Sequence, residues 1–373
     1  MKRLLVFVLT AIAFSCQKDD SNIPQVNPPP ASNWPSDNTR IVKSGLNFPW
    51  EILWGKDDFI WLTERNGKIS KIDPLTGNTI FTHTIPEVVA TGEGGLLGMV
   101  QHPDFLTNGL FYVVYNYNKN AIYTEKVVRF TFKSNEVSNA VVILDDIPAA
   151  NIHNGSRLLI SSETSPKLFI TTGDANRTSL PQNTGSLAGK ILRLNLDGTI
   201  PSDNPIAGNP YWSFGHRNPQ GLVMANNTLY ISDHGPNVED EVNIIERGIN
   251  YGWPNVNGPC NEPSESTFCS SNNVRTPIWS TGSGTLATCG IDFYTADLMP
   301  QWKNSLLLTT LKDATLYQLQ LSADGKTVTS TKSFFRGVWG RLRDVCISPA
   351  GRVYVCTSNG GNSDRIIEIQ KSE

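Results

Sequence analysis

Residues 59–73 read FIWLTERNGKISKID: an apolar strand ending in Thr63-Glu64, a polar turn, and a second strand in which apolar and polar side chains alternate. Alternation with a period of two marks a half-buried β-strand. The unit recurs as LFYVVYNYN with EKVVRFTFK from Leu110, LFITTGD with GKILRLNLDG from Leu168, LYISDHG with DEVNII from Leu229, SLLLTTLKDATLYQLQL from Ser305, and VYVCTSN with DRIIEI from Val353. The copies begin at intervals of about 50 to 75 residues, the spacing of four-stranded propeller blades with decorated loops. Six copies therefore predict an all-β chain, a six-bladed β-propeller of four-stranded antiparallel blades. A strand near Thr39–Lys43 is placed to join the last blade and close the ring, which removes an exposed sheet edge. Loops leaving equivalent strands then gather on one face around the central channel, where motifs distant in sequence meet.

The chain ahead of the first repeat is of another kind. Lys2 and Arg3 precede an apolar run from Leu4 to Phe14 that ends at Ser15-Cys16, the order of a signal peptide and too short to span a bilayer. It resembles a bacterial lipoprotein signal, which implies removal of residues 1–15 and lipid attachment at Cys16; an ordinary secretory signal is the other reading. Gln17-Lys18-Asp19-Asp20 resembles the acidic surface-export tag of Bacteroidetes lipoproteins. The expected location is periplasmic or cell-surface in a Gram-negative bacterium, with a membrane touched only through the anchor at Cys16. Ser21–Pro35 holds five prolines and cannot bury enough apolar surface to fold. Residues 16–36 thus read as a flexible tether and 37–373 as the propeller.

Charged residues make up 17% of the chain, the net charge is −3 and there is no basic cluster. Neither nucleic acid nor an anionic membrane surface is an expected partner, and the expected substrate is small and neutral. Six cysteines suit an exported chain. With Cys16 reserved for lipid, Cys260 and Cys269 bracket a short Pro/Ser-rich loop that a disulfide could close. Cys346 and Cys356 flank Pro349-Ala350-Gly351 and could pair across a hairpin, leaving Cys289 free, although sequence alone does not fix connectivity.

The densest polar chemistry lies in SFGHRNPQGL from Ser213 and ISDHGPNVEDEVNIIERGINYGWPNV from Ile231. Arg217 and Asn218 offer donors to an anionic or carbonyl-bearing ligand, and Gln220 adds an amide. Gly235 and Pro236 offer carbonyl oxygens of the kind Ca²⁺ uses, with Asp240, Glu241 and the Tyr251 carbonyl as a second hard-oxygen group. In GEGGLLGMVQHPDF from Gly92, the glycines let a backbone turn approach a ligand while Glu93 projects a carboxylate. In NIHNGSRLLI from Asn151, His153 stands just ahead of a strand, where a neutral imidazole takes a proton from an alcohol if a carboxylate holds its other nitrogen. Asp174, ending ITTGD, is placed to do so. Lys312, Arg341 and Arg343 add three cations near the end of the chain, the set a polycarboxylate ligand needs. The blander readings make His102 a turn residue, His83 an unpartnered strand residue, and Asp240 and Glu241 a solvated loop; His216 and His234 are explained by their neighbours Arg217 and Gly235.

These residues resemble the soluble quinoprotein glucose dehydrogenases and their aldose (glucose/sorbosone) dehydrogenase relatives. The resemblance runs from about Pro49 to Ile369 through GHRNPQGL, HGPNVEDEVN, NYGWPN, GKILRLNLDGTIPSDNP, TLKDATLY and RLRDV. It implies a six-bladed propeller that binds pyrroloquinoline quinone (PQQ) and Ca²⁺. His153 then matches the catalytic base, Asp174 the carboxylate that orients it, and Arg217 the group near the reactive quinone carbonyl, with Asn218 beside it. Glu93 stands where the glucose dehydrogenase has Gln near the cofactor. Lys312, Arg341 and Arg343 match the cations that hold the PQQ carboxylates. Gly235 and Pro236 match the active-site Ca²⁺ carbonyls, and Asp240, Glu241 and Tyr251 fall in the region of a structural calcium. The implied reaction oxidises the anomeric hydroxyl of an aldose, or a related polyol or alcohol, to the lactone by hydride transfer to PQQ, with Ca²⁺ polarising the quinone and an external electron acceptor closing the cycle. Two other functions suit the same scaffold: a non-catalytic propeller binding module and a Ca²⁺-dependent lactonase-type hydrolase.

Overall fold

In the computed structural model the described residues are 34–36 and 38–371. The expected signal segment, Cys16 and nearly all of the tether lie outside the described residues. Each repeat read in the sequence supplies the two middle strands of a blade; the strand before it lines the axis and the strand after it lies outermost. Blade one is Pro49–Trp54, Ile60–Glu64, Lys68–Ile72 and Thr79–Thr84; blade two is Leu96–Gln101, Leu110–Lys119, Ile122–Lys133 and Glu136–Pro148. Blade three is Gly155–Ile160, Lys167–Thr172, Lys190–Asn195 and Tyr211–Phe214; blade four is Pro219–Ala225, Thr228–Asp233, Glu241–Ile245 and the short Trp279–Ser280. Blade five is Thr288–Tyr294, Ser305–Thr310, Leu316–Leu321 and Val328–Phe334. Blade six is Leu342–Ile347, Val353–Thr357 and Asp364–Ile369, completed by Thr39–Leu46.

That completion is the ring closure. Thr39–Leu46 runs antiparallel to Asp364–Ile369 with Thr39 opposite Ile369 and Ile41 opposite Ile367, and the Arg40 guanidinium meets Glu368 at 2.7 Å. The packed unit begins at Trp34, ahead of the expected boundary at 37. Trp34 donates from Nε1 to the Gln370 carbonyl, and its ring lies tilted against Trp302 with centroids 4.9 Å apart.

The burial pattern explains why these segments became strands. The second strands, such as Ile60–Glu64 and Lys167–Thr172, are buried on both faces, whereas the outermost Thr79–Thr84 is largely exposed. Apolar side chains interdigitate between neighbouring blades: Tyr112 and Val114 of blade two share a cluster with Leu168, Ile170 and Leu192 of blade three. Each such side chain contributes about 1.5–3 kcal/mol by leaving water. Among the described residues two short helices and one 3₁₀ turn interrupt the sheets, and neither helix is long and apolar enough to cross a membrane.

Cys260 and Cys269 are joined, as expected, but the segment they bracket holds the helix Pro263–Asn272. Pro263 starts it without losing an intrahelical bond, and Glu265 accepts from the Glu262 N–H at 3.4 Å. The expected bond between Cys346 and Cys356 is absent, and both stay buried thiols with Cys289. Register is the reason: Cys346 faces Tyr354 and Cys356 faces Asp344, so the two are diagonal rather than opposed.

Candidate active site

In an antiparallel blade the start of the axial strand and the end of the second strand fall at the same mouth of the channel. Glu93, His153, Arg217 and Arg341 precede axial strands, while Asp174, His234 and Lys312 follow second strands. The topology thus brings residues from five blades to one face, although they span residues 93 to 343.

His153 sits at φ 61°, a left-handed conformation for a residue with a side chain, of the kind that collects at functional sites. The fold holds it there. The His153 carbonyl accepts from Ala175 N at 3.1 Å, and Gly173 must be glycine because a Cβ would lie 1.9 Å from the same oxygen. His153 Nδ1 is 2.9 Å from Asp174 Oδ1. A carboxylate only accepts, so Nδ1 carries the proton and Nε2 is left with its lone pair when the ring is neutral. Asp174 is 1% exposed; it also accepts from Asn176 N at 2.7 Å and from Trp253 Nε1 at 2.9 Å. Glu93 is exposed and accepts from His153 N at 3.3 Å.

Arg217 Nη1 donates to the His234 carbonyl at 3.3 Å, and its guanidinium lies 5.4 Å from the Trp253 ring centre. Asp233 holds this loop, accepting from Arg217 N and Asn218 N. Asn218 is buried and accepts from Gly155 N at 3.0 Å, tying blade four to the His153 loop. Arg343 is buried and donates to Gln220 Oε1 at 2.7 Å, with Cys289 Sγ at 3.1 Å. Arg341 is exposed, and Lys312 is exposed with Nζ on Thr285 Oγ1 at 2.9 Å. Burial and the neighbouring Arg343 pull the Arg341 pKa down. Arg217 Nε, Arg343 Nε and His234 Nε2 are buried without a partner.

Gly235, Pro236, Glu241 and Tyr251 line one cavity of about 20 Å³ with Asp233 and Glu239. That volume holds one water or one ion. Gly235 is required here, since a Cβ would lie 1.8 Å from Val238 O. Burial, then Asp233, pushes the Glu241 carboxyl up to about 8. Asp240 departs from the expected metal group. It does not line the cavity: its carboxylate accepts from Gly235 N, Leu286 N and Ala287 N at 2.6–2.9 Å and so shapes the turn. Among the described residues, no three acidic, His or Cys side chains converge to hold a metal by themselves, so any cation here needs backbone carbonyls as well.

Of the other histidines, His102 is a turn residue accepting from Asp104 N, and His216 is buried, stacked 4.7 Å from Tyr251. His234 belongs to the site wall: burial lowers its pKa while Asp240 and Glu93 oppose the shift. Trp253, Asp233, Cys289 and Arg65 are site residues that motif reading did not single out. One signal was available for Arg65, which directly follows a second strand, as His234 does.

Below this mouth the channel is closed. Arg157 of blade three bridges Glu51 of blade one and Asp344 of blade six at 2.8 and 2.7 Å, all nearly fully buried. Beyond that bridge a cavity of about 240 Å³ faces the opposite side.

A family model of glucose/sorbosone dehydrogenases matches residues 46–367. The chain is 31% identical to quinoprotein glucose dehydrogenase B of Acinetobacter calcoaceticus over 87% of its own length and 86% of that protein. It is 30% identical to an aldose sugar dehydrogenase of Escherichia coli over 86% and 90%. Among solved structures, the PQQ-bound aldose sugar dehydrogenase of Streptomyces coelicolor superposes with a TM-score of 0.77 at 29% identity, covering 89% of this chain and 97% of that one. With the expected motifs in order around one mouth and a match across nearly the whole propeller, the chain belongs to the glucose/sorbosone dehydrogenase family, whose named members are oxidoreductases.

Proposed function

We propose that this protein is a PQQ-dependent aldose dehydrogenase that oxidises the anomeric hydroxyl of a small neutral sugar, or a related alcohol, to the lactone. The observation that carries the reading is a His–Asp pair facing a mouth lined with buried, unpaired donors, Arg217 Nε and Arg343 Nε, beside the equally unpartnered His234 Nε2. Unpaired buried donors cost free energy, and an anionic ligand with many acceptors relieves it. PQQ, when bound, supplies the electron-poor quinone that takes the hydride of a sugar C–H bond. Arg343, Arg341 and Lys312 are the residues to hold its carboxylates, with Asn218, Gln220 and Glu93 shaping the seat.

His153 Nε2 takes the proton of the anomeric hydroxyl. The Asp174 carboxylate stabilises the imidazolium that results, while Trp253 Nε1 keeps that carboxylate aimed. Arg217 presents a guanidinium where negative charge develops. For Ca²⁺, the Gly235, Pro236 and Tyr251 carbonyls with Glu241 offer hard oxygens, and the carboxylates of Asp233 and Glu239 crowd Glu241 in the way a divalent cation would relieve. The reading extends to an external electron acceptor and to export with a lipid anchor at Cys16, which palmitate labelling lost in Cys16→Ser tests.

The deciding assay adds PQQ, Ca²⁺ and a dye acceptor to purified protein with a panel of aldoses and polyols. Dye reduction is expected. A shifted PQQ spectrum without turnover leaves a binding module, and lactone hydrolysis without PQQ selects the hydrolase. No dye reduction and no spectral change removes the quinoprotein reading.

A further inference from the structure

Motif reading placed no site residue on blade one, yet Arg65 directly follows its second strand, Ile60–Glu64, at the same mouth. The Arg65 backbone is fixed on both sides: its N–H donates to Phe48 O at 3.1 Å and its carbonyl accepts from Leu96 N at 3.0 Å. The guanidinium lies 4.2 Å over the Phe48 ring, and Nη1 donates to the Gly92 carbonyl beside Glu93. Nε is buried and has no partner.

The charges that Arg65 senses are Arg343, Glu93 and Arg341, in that order, after burial itself; burial and the two arginines pull its pKa down. Among the described residues none of Arg65, Arg341 and Arg343 forms a salt bridge. Arg157, one level down the same channel, has two. Guanidiniums that sense one another repel unless something anionic enters between them. Stacking on Phe48 and the bond to Gly92 orient the Arg65 fork before any ligand arrives.

We infer that Arg65 is a binding residue for the carboxylate-bearing cofactor, holding its anionic edge from the blade-one side of the mouth, opposite Arg217. This rests on the quinone reading of the pocket. It makes blade one a contributor and closes the ring of ligand-facing groups.

The test is equilibrium binding of PQQ to the apoprotein with Ca²⁺, read by tryptophan-fluorescence quenching across a NaCl series, for wild type, Arg65→Met and Arg65→Lys. Arg65→Met is expected to raise Kd about tenfold, the worth of one charge-assisted bond, and to flatten the salt dependence. Arg65→Lys keeps the charge but loses the stacked fork and is expected to bind between wild type and Arg65→Met. A Kd for Arg65→Met within about twofold of wild type, with an unchanged salt slope, overturns the inference. If circular dichroism shows Arg65→Met unfolded, Arg65→Gln replaces it, and equal Kd values for the Gln and Lys variants overturn the inference. Failure of wild type itself to bind PQQ overturns the proposed function instead.

Discussion

His153 keeps its place through three separate restraints: a left-handed backbone, a glycine neighbour at Gly173, and the Asp174 carboxylate that Trp253 steadies. If His153 is the base proposed, replacing the ring removes the acceptor for the hydroxyl proton, so His153→Ala is expected to lower kcat about a thousandfold while PQQ affinity, measured by fluorescence, stays near wild type. Asp174→Asn leaves the ring in place but offers Nδ1 an amide, and an expected loss of about a hundredfold in kcat follows from the wrong tautomer. An active His153→Ala enzyme rules out its role as base. His153, Asp174 and Arg217 were legible because each stands beside a Gly, Asn or Pro where a strand gives way to a loop. Trp253 was quoted in its motif, but its bond to Asp174 crosses 79 residues and leaves no local trace. Arg65 in a polar turn looks like any surface arginine until Phe48 and Gly92 are seen around it.

The loop from Gly235 to Glu241 shows what one element does when folded against its neighbours. Asp240 spends its oxygens on three backbone amides, which leaves Glu241 to face the small cavity. Millimolar Ca²⁺ is expected to raise the melting temperature by about 5 °C through binding to the native state, and Glu241→Gln is expected to abolish the rise; differential scanning calorimetry with and without chelator decides it. Glu125, on Ile122–Lys133, reaches blade three through Ser156 Oγ at 2.6 Å. Burial pushes its carboxyl from 4.5 up to about 8, against the hydrogen bonds from Ser156 and Asn116. A carboxyl with a raised folded value binds more protons when folded, so its stability contribution is complete below its ordinary value and fades as pH climbs through the raised one. Glu125→Gln is therefore expected to gain roughly 2 kcal/mol over wild type at pH 9 and nothing at pH 4. Equal urea midpoint differences at both pH values contradict this. Strand pairs were legible as elements because each is an apolar run followed, across a polar turn, by a second strand of more alternating character. The helix Pro263–Asn272 was not, since PSESTFCSSN has almost no apolar face and forms on its capping residues and the disulfide.

At the scale of the whole ring, closure by a strand near Thr39–Lys43, which the structure extends to Leu46, was foreseen from position alone, because a propeller needs its last sheet completed by the other end of the chain. Removing residues up to Leu46 strips Asp364–Ile369 of its partner and frees Glu368 from Arg40. The truncated protein is expected to melt roughly 10 °C lower and to self-associate through the bared edge; calorimetry and light scattering would register both, and an unchanged monomer would contradict the role given to this strand. Cysteine pairing was the poorest guide, since a shift of two positions along a hairpin separates Cys346 from Cys356 and only register reveals it. The Arg157 bridge to Glu51 and Asp344 makes the ring a cup rather than a pipe. On the proposed reading, sugar, lactone and oxidant would then share a single doorway, so one visitor would have to depart before the next is admitted, and an excess of either reactant is expected to obstruct the other.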